Sequence, residues 1–154
     1  GQLDVMRMRA RGFTLLELLV VLAIVALATA GATLALRDSN ATQLEREALR
    51  LAAMLESARA QSRTSGIPVV WRTLPQGFEF LGVCDREEDP DSLAGARNWL
   101  DPQTRAQIER PANAATLVLG PEPLIASQRL ILLLGERQLT LATDGLAAFA
   151  VVSP

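Results

Sequence analysis

Gly12-Phe13-Thr14-Leu15-Leu16-Glu17 leads into an almost unbroken apolar run from Leu18 to Leu36, and Arg7, Arg9 and Arg11 stand just before it. As a helix, residues 13–36 extend about 36 Å, enough to cross the hydrocarbon core of a bilayer. Arginine on the leading side places residues 1–12 in the cytoplasm and the rest of the chain outside. Glu17 is the one charge near the start of the run. A carboxylate costs about 2.5–3.5 kcal/mol at a bilayer centre and less near the interface. A chain that keeps one there has a use for it.

The order basic leader, Gly, Phe, Thr, two Leu, Glu, apolar helix resembles the N-terminus of type IV pilins and pseudopilins. The resemblance implies a cut by a prepilin peptidase after Gly12 and N-methylation of the new terminus, Phe13. It makes Glu17 the fifth residue of the mature chain and assigns it to subunit assembly. Two other readings compete. In a secretory signal peptide, Leu18–Leu27 is the apolar region and Ala28-Thr29-Ala30 the cleavage site. The other is an unprocessed single-span anchor. Neither gives Glu17 a role, and both treat the six-residue match as accident. Read from Met6, the leader would be Met-Arg-Met-Arg-Ala-Arg-Gly, short and basic as prepilin leaders are.

The 154 residues suffice for one domain plus an anchor. Net charge is −2, and removing Arg7, Arg9, Arg11 and Asp4 with the leader makes it −4. An acidic chain with no basic residue after Arg137 argues against nucleic acid as a partner. There is no His, which removes the commonest general acid–base group and metal ligand. Cys84 is the only Cys, so it forms no disulfide within the chain, and it reads as a small buried residue at a strand end.

Beyond the apolar run, Leu44, Ala48, Leu51, Leu55, Ala58 and Ser62 follow steps of four and three, widened by Ala52 and Met54. This predicts an amphipathic helix with Glu45, Arg46, Glu47, Arg50, Glu56 and Arg59 on its other faces as ordinary exposed charges. Gly31 and Arg37-Asp38-Ser39-Asn40 are weak helix formers, which predicts a kink or loosening there. Gly66 and Pro68 end the helix. Strands are expected at Val69–Arg72, Phe78–Val83, Thr116–Leu119, Leu130–Leu134, Gln138–Ala142 and Ala147–Val152. Turns are expected at Pro75-Gln76-Gly77, Gly135-Glu136-Arg137 and Thr143-Asp144-Gly145. Residues 84–113 lack periodicity and read as a long loop.

The expected fold class is therefore α+β and pilin-like, a long helix packed on a C-terminal antiparallel sheet. The divisions are a leader at 1–12, a transmembrane helix at 13–36, an amphipathic helix at 37–65 and a β-rich periplasmic domain at 66–154. Ala48–Ser65 with Ile67-Pro68-Val69, and Leu139–Phe149, are similar to the H-type minor pseudopilins of type II secretion and their type IV pilus relatives, the GspH/FimT family. That resemblance implies a single-pass inner-membrane protein with its C-terminal domain in the periplasm. Its implied partners are a prepilin peptidase, other major and minor pseudopilins, an inner-membrane assembly platform and membrane lipid. It implies no enzyme activity and no cofactor.

Other candidate sites are weaker. Asp85, Glu87, Glu88, Asp89 and Asp91 could hold Ca²⁺, but they lack the Gly of an EF-hand loop and Pro90 interrupts them, so a solvated loop is the better reading. Trp71 is expected in the core. Trp99 divides evenly between core and interface. No nucleophile–base pair presents itself. Small residues around Gly31 (Ala26, Ala28, Ala30, Ala32) permit close helix approach in a bundle.

Overall fold

The computed structural model describes residues 14–84 and 92–152. Leu15–Ser65 form one α-helix, α1. Weak helix formers do not interrupt it. A single Gly costs only about 1 kcal/mol against Ala, and strong helix formers flank Gly31 and Arg37–Asn40 on both sides. The expected loosening is therefore not seen, and the helix runs unbroken through Gly31 and Arg37–Asn40. Gly66 stops the helix. Its φ of +70° suits a residue without Cβ, and its N–H donates to Ser62 O at 2.9 Å.

Eight strands follow: β1 (Val70–Leu74), β2 (Gly77–Leu81), β3 (Arg97–Asn98), β4 (Arg105–Arg110), β5 (Thr116–Val118), β6 (Gln128–Leu134), β7 (Arg137–Thr143) and β8 (Ala150–Val152). They form two antiparallel four-stranded sheets, ordered β3-β2-β1-β5 and β4-β6-β7-β8. The single expected sheet is thus two. The supposed loop at 84–113 contributes an edge strand to each, β3 and β4. The last strand begins at Ala150 rather than Ala147, because residues 144–149 are taken up by the connection from β7.

The chain divides into two compact units between Leu36 and Arg37. The first carries the apolar stretch of α1, whose large side chains from Leu15 to Leu36 are exposed. Thr29 and Thr33 return their hydroxyl protons to the carbonyls of Val25 and Thr29, so neither adds an unpaired donor to that surface.

In the second unit, α1 buries Leu44, Glu47, Ala48, Leu51, Leu55, Ala58, Arg59 and Ser62. The apolar members pack with Trp71, Phe78, Phe80, Leu117 and Leu119 of the first sheet and its flank, and with Leu130, Leu132, Leu134 and Leu141 of the second. Strict alternation along β6 puts Gln128, Leu130, Leu132 and Leu134 inside. Trp71 is core, as expected. Trp99 is core too, only 5% exposed, with its ring 4.8 Å from that of Phe78. Cys84 is exposed, against expectation, because β2 ends at Leu81 and leaves it outside the sheet.

Two charges expected on the surface are buried: Glu47 is 1% exposed and Arg59 is 3%. Each belongs to an i,i+3 Glu–Arg pair, Glu47–Arg50 at 2.9 Å and Glu56–Arg59 at 3.1 Å. Each pair also binds the backbone of a distant loop. Glu47 accepts from Leu100 N at 3.0 Å, and Arg50 donates to Asn98 O at 3.3 Å. Arg59 donates to Ala147 O and Gly145 O, while Glu56 accepts from Phe149 N. The buried charge is tolerable because its hydrogen-bonding capacity is filled. The first pair fastens the segment after β3 to the helix, and the second fastens the β7–β8 connection.

That connection has its own local logic. Gly145 has φ +101°, and a Cβ there would lie 1.9 Å from Ile125 O. Asp144 Oδ1 accepts from Ala147 N and Leu146 N, both at 2.9 Å. These bonds, to Ala147 first and Leu146 second, hold the Asp144 carboxyl below its ordinary pKa. A depressed folded-state pKa means the stabilisation is present above the unfolded value of about 3.9 and is lost as pH falls through the folded value. We therefore expect the protection of the Leu146 and Ala147 amides, their exchange relative to a free peptide at the same pH, to fall on acidification below about pH 4. Asp144→Asn, which keeps an acceptor but does not titrate, should remove that pH dependence. Identical profiles for the two proteins would rule it out.

Candidate functional site: the N-terminal segment

The helix starts with a reciprocal cap. Leu18 N donates to Thr14 O at 3.0 Å, which makes Thr14 the N-cap and Glu17 the third helical residue. Glu17 N donates to Thr14 Oγ1 at 3.1 Å, and Thr14 N reaches Glu17 Oε2 at 3.4 Å. This is a capping box, Thr-x-x-Glu, in which each residue satisfies the other's otherwise unpaired backbone donor. The carboxylate also lies at the positive end of the helix dipole. In a membrane segment these donors have no water to fall back on, so the cap matters more there.

The cap gives Glu17 a use inside a single chain. The four-residue signature Thr14-Leu15-Leu16-Glu17 is the sequence signal for it. Gly12 and Phe13, the expected processing residues, lie outside the described residues. So does the acidic cluster Asp85, Glu87, Glu88, Asp89 and Asp91.

Elsewhere, a cavity of about 360 Å³ is lined by Ser57, Gln61, Thr64, Cys84 and Ser92 among others. Among the described residues its hydroxyls, amide and thiol include no acid–base pair.

Residues 7–33 match the family model described as the prokaryotic N-terminal methylation motif. The match contains the basic leader, Gly12, Phe13, the capping box and most of the apolar run. The chain carries a prepilin-type N-terminus. No curated protein and no solved structure matches the chain. The motif implies processing by a prepilin peptidase and pilin-type assembly. A long N-terminal helix packed against antiparallel sheets is the pilin-like layout. The apolar stretch of α1 is long and apolar enough to cross a membrane, consistent with anchoring there.

Proposed function

We propose that this protein is a minor pseudopilin of a type II secretion system, a structural subunit and not an enzyme. It is held in the inner membrane by residues 13–36 with its C-terminal domain in the periplasm. A prepilin peptidase cuts after Gly12 and Phe13 is methylated. The subunit then joins other pseudopilins, through an inner-membrane assembly platform, in a short filament that drives proteins across the outer membrane. The observation that carries this reading is the methylation motif at 7–33 on a helix that continues into a two-sheet domain.

In the filament, Glu17 pairs with a neighbour's Phe13 ammonium, turning two costly isolated charges into one pair. A minor pilin of a type IV pilus, with a role in pilus assembly or DNA uptake, is the alternative within the same superfamily. The acidic composition and the lack of any basic residue after Arg137 favour secretion over DNA uptake. A deletion strain separates the two: loss of exoprotein secretion with intact surface pili supports the pseudopilin, and the converse supports the pilin.

Mass spectrometry of the membrane-extracted protein tests the processing step. The mature chain should begin at N-methylated Phe13, and Gly12→Val should leave an uncut precursor in the membrane. A native N-terminus at Gly31 would overturn the reading in favour of a secretory signal peptide.

A further inference from the structure

The second unit begins at Arg37, the residue bonded to the end of the apolar run. Its guanidinium reaches the β6–β7 hairpin, with Nη2 2.7 Å from Glu136 Oε2. One turn on, Asn40 lies against the hairpin tip, close enough that a Cβ on Gly135 would sit 2.7 Å from its Nδ2. Two further exposed arginines flank the same end of the sheet. Arg105 pairs in register with Leu133, and Arg137 with Leu134.

Depth follows from lengths. Leu15–Leu36 extend about 33 Å as helix, matching a hydrocarbon core of about 30 Å. The headgroup layer beyond it is about 5–7 Å thick. Residues 37–40 follow directly in the chain and span at most about 6 Å as helix, so at any angle they stay within that layer. A hairpin in contact with both Arg37 and Asn40 is held at headgroup depth.

The chemistry there is phosphodiester. Arg105 and Arg137 make no ion pair among the described residues. A guanidinium fork matches two phosphate oxygens. Arg105 Nη1 donates to Thr104 O and Pro102 O, which leaves Nε and Nη2 for a ligand. Among the described residues, the acids on these segments are Glu136, already paired with Arg37, the exposed Asp38, and the half-buried Asp101, whose carboxylate accepts from Gln103 N. We propose that the β6–β7 hairpin rests in the lipid headgroup layer, with Arg105 and Arg137 binding lipid phosphates. In this way the unassembled subunit is held against the membrane by its sheet as well as by its helix. The proposal rests on the membrane-anchoring part of the function proposed above.

The test uses the full chain in vesicles of phosphatidylcholine and phosphatidylglycerol that contain headgroup-spin-labelled phosphatidylcholine. In a Cys84→Ser background, a fluorophore is placed at Gln138→Cys beside the hairpin, or at Ala112→Cys beyond the opposite end of β4. The Gln138 probe should be quenched and the Ala112 probe should not. Adding Arg105→Gln and Arg137→Gln should lower the ratio of quenched to unquenched Gln138 probe by about fivefold per arginine.

Failure of the chain to float with the vesicles would refute the anchoring reading itself. Flotation with equal quenching at the two positions would overturn the hairpin placement alone. Quenching untouched by the arginine substitutions would overturn phosphate binding. Relief of quenching by inorganic phosphate at constant ionic strength would show that free phosphate, not lipid, is the ligand.

Discussion

Replacing Arg59 with alanine should lower the unfolding midpoint of the domain by roughly 10–15 °C. The guanidinium is buried and joins three things: the Glu56 carboxylate at 3.1 Å, Ala147 O at 2.9 Å and Gly145 O at 3.2 Å. Removing one member of a buried charge network costs about 3–5 kcal/mol. We expect the lower end, about 3 kcal/mol, for two reasons. Glu56 is 32% exposed and can regain water. Both carbonyls also keep a second donor, Ile125 N for Gly145 and Thr143 Oγ1 for Ala147.

Arg59→Lys should recover little, because a single ammonium nitrogen replaces the two fixed nitrogens, Nη1 and Nη2, that reach Glu56, Ala147 O and Gly145 O. Arg37→Ala is the comparison. Its pair with Glu136 is exposed on both sides, and such pairs contribute about 0–1 kcal/mol. Calorimetry on the purified chain reads the difference. An Arg59→Ala midpoint no lower than that of Arg37→Ala would mean that the β7–β8 connection does not depend on this clamp.

Arg59 and Glu47 also mark where sequence reading stops. The stripe Leu44, Ala48, Leu51, Leu55, Ala58, Ser62 is legible because an apolar face repeats at the helix period. Glu47 and Arg59 each stand one residue from a stripe member, about 100° around the helix, where a charge is ordinarily solvated. Their burial is decided by backbone groups 53 to 88 residues away. No local pattern announces those partners.

β3 and β4 were hidden for a different reason. β3 is two residues long, and β4 is an edge strand whose only apolar members, Ala106 and Ile108, are half-buried between Arg105, Gln107 and Glu109. Edge strands with charged outer positions suppress unwanted pairing and look like loops. The apolar segment and the turn at Gly135, in contrast, depend on composition and on single residues, so the chain states them plainly.

Glu17→Gln should abolish incorporation into the filament while leaving the helix start intact. Glutamine at the third helical position still completes a capping box with Thr14, so the local structure survives. What disappears is the charge that, in the proposed filament, pairs with a neighbour's Phe13 ammonium. Leaving that ammonium buried without its partner costs about 3–5 kcal/mol, more than a hundredfold in an assembly equilibrium.

Thr14→Ala makes the complementary cut. It removes the hydroxyl that accepts from Glu17 N but keeps the charge, and the loss of a cap costs about 0.5–2 kcal/mol. Incorporation should fall, but far less than with glutamine at 17. Glu17→Val loses both cap and charge. It should insert in the membrane more readily, remain cleavable after Gly12, and still fail to assemble. Glu17→Asp keeps the charge with a shorter reach and should be intermediate. The measurement is crosslinking to neighbouring subunits, together with secretion, in a strain that carries only the variant. If Glu17→Gln assembles like wild type while Thr14→Ala does not, the carboxylate serves only to cap its own helix, and the pairing mechanism is wrong.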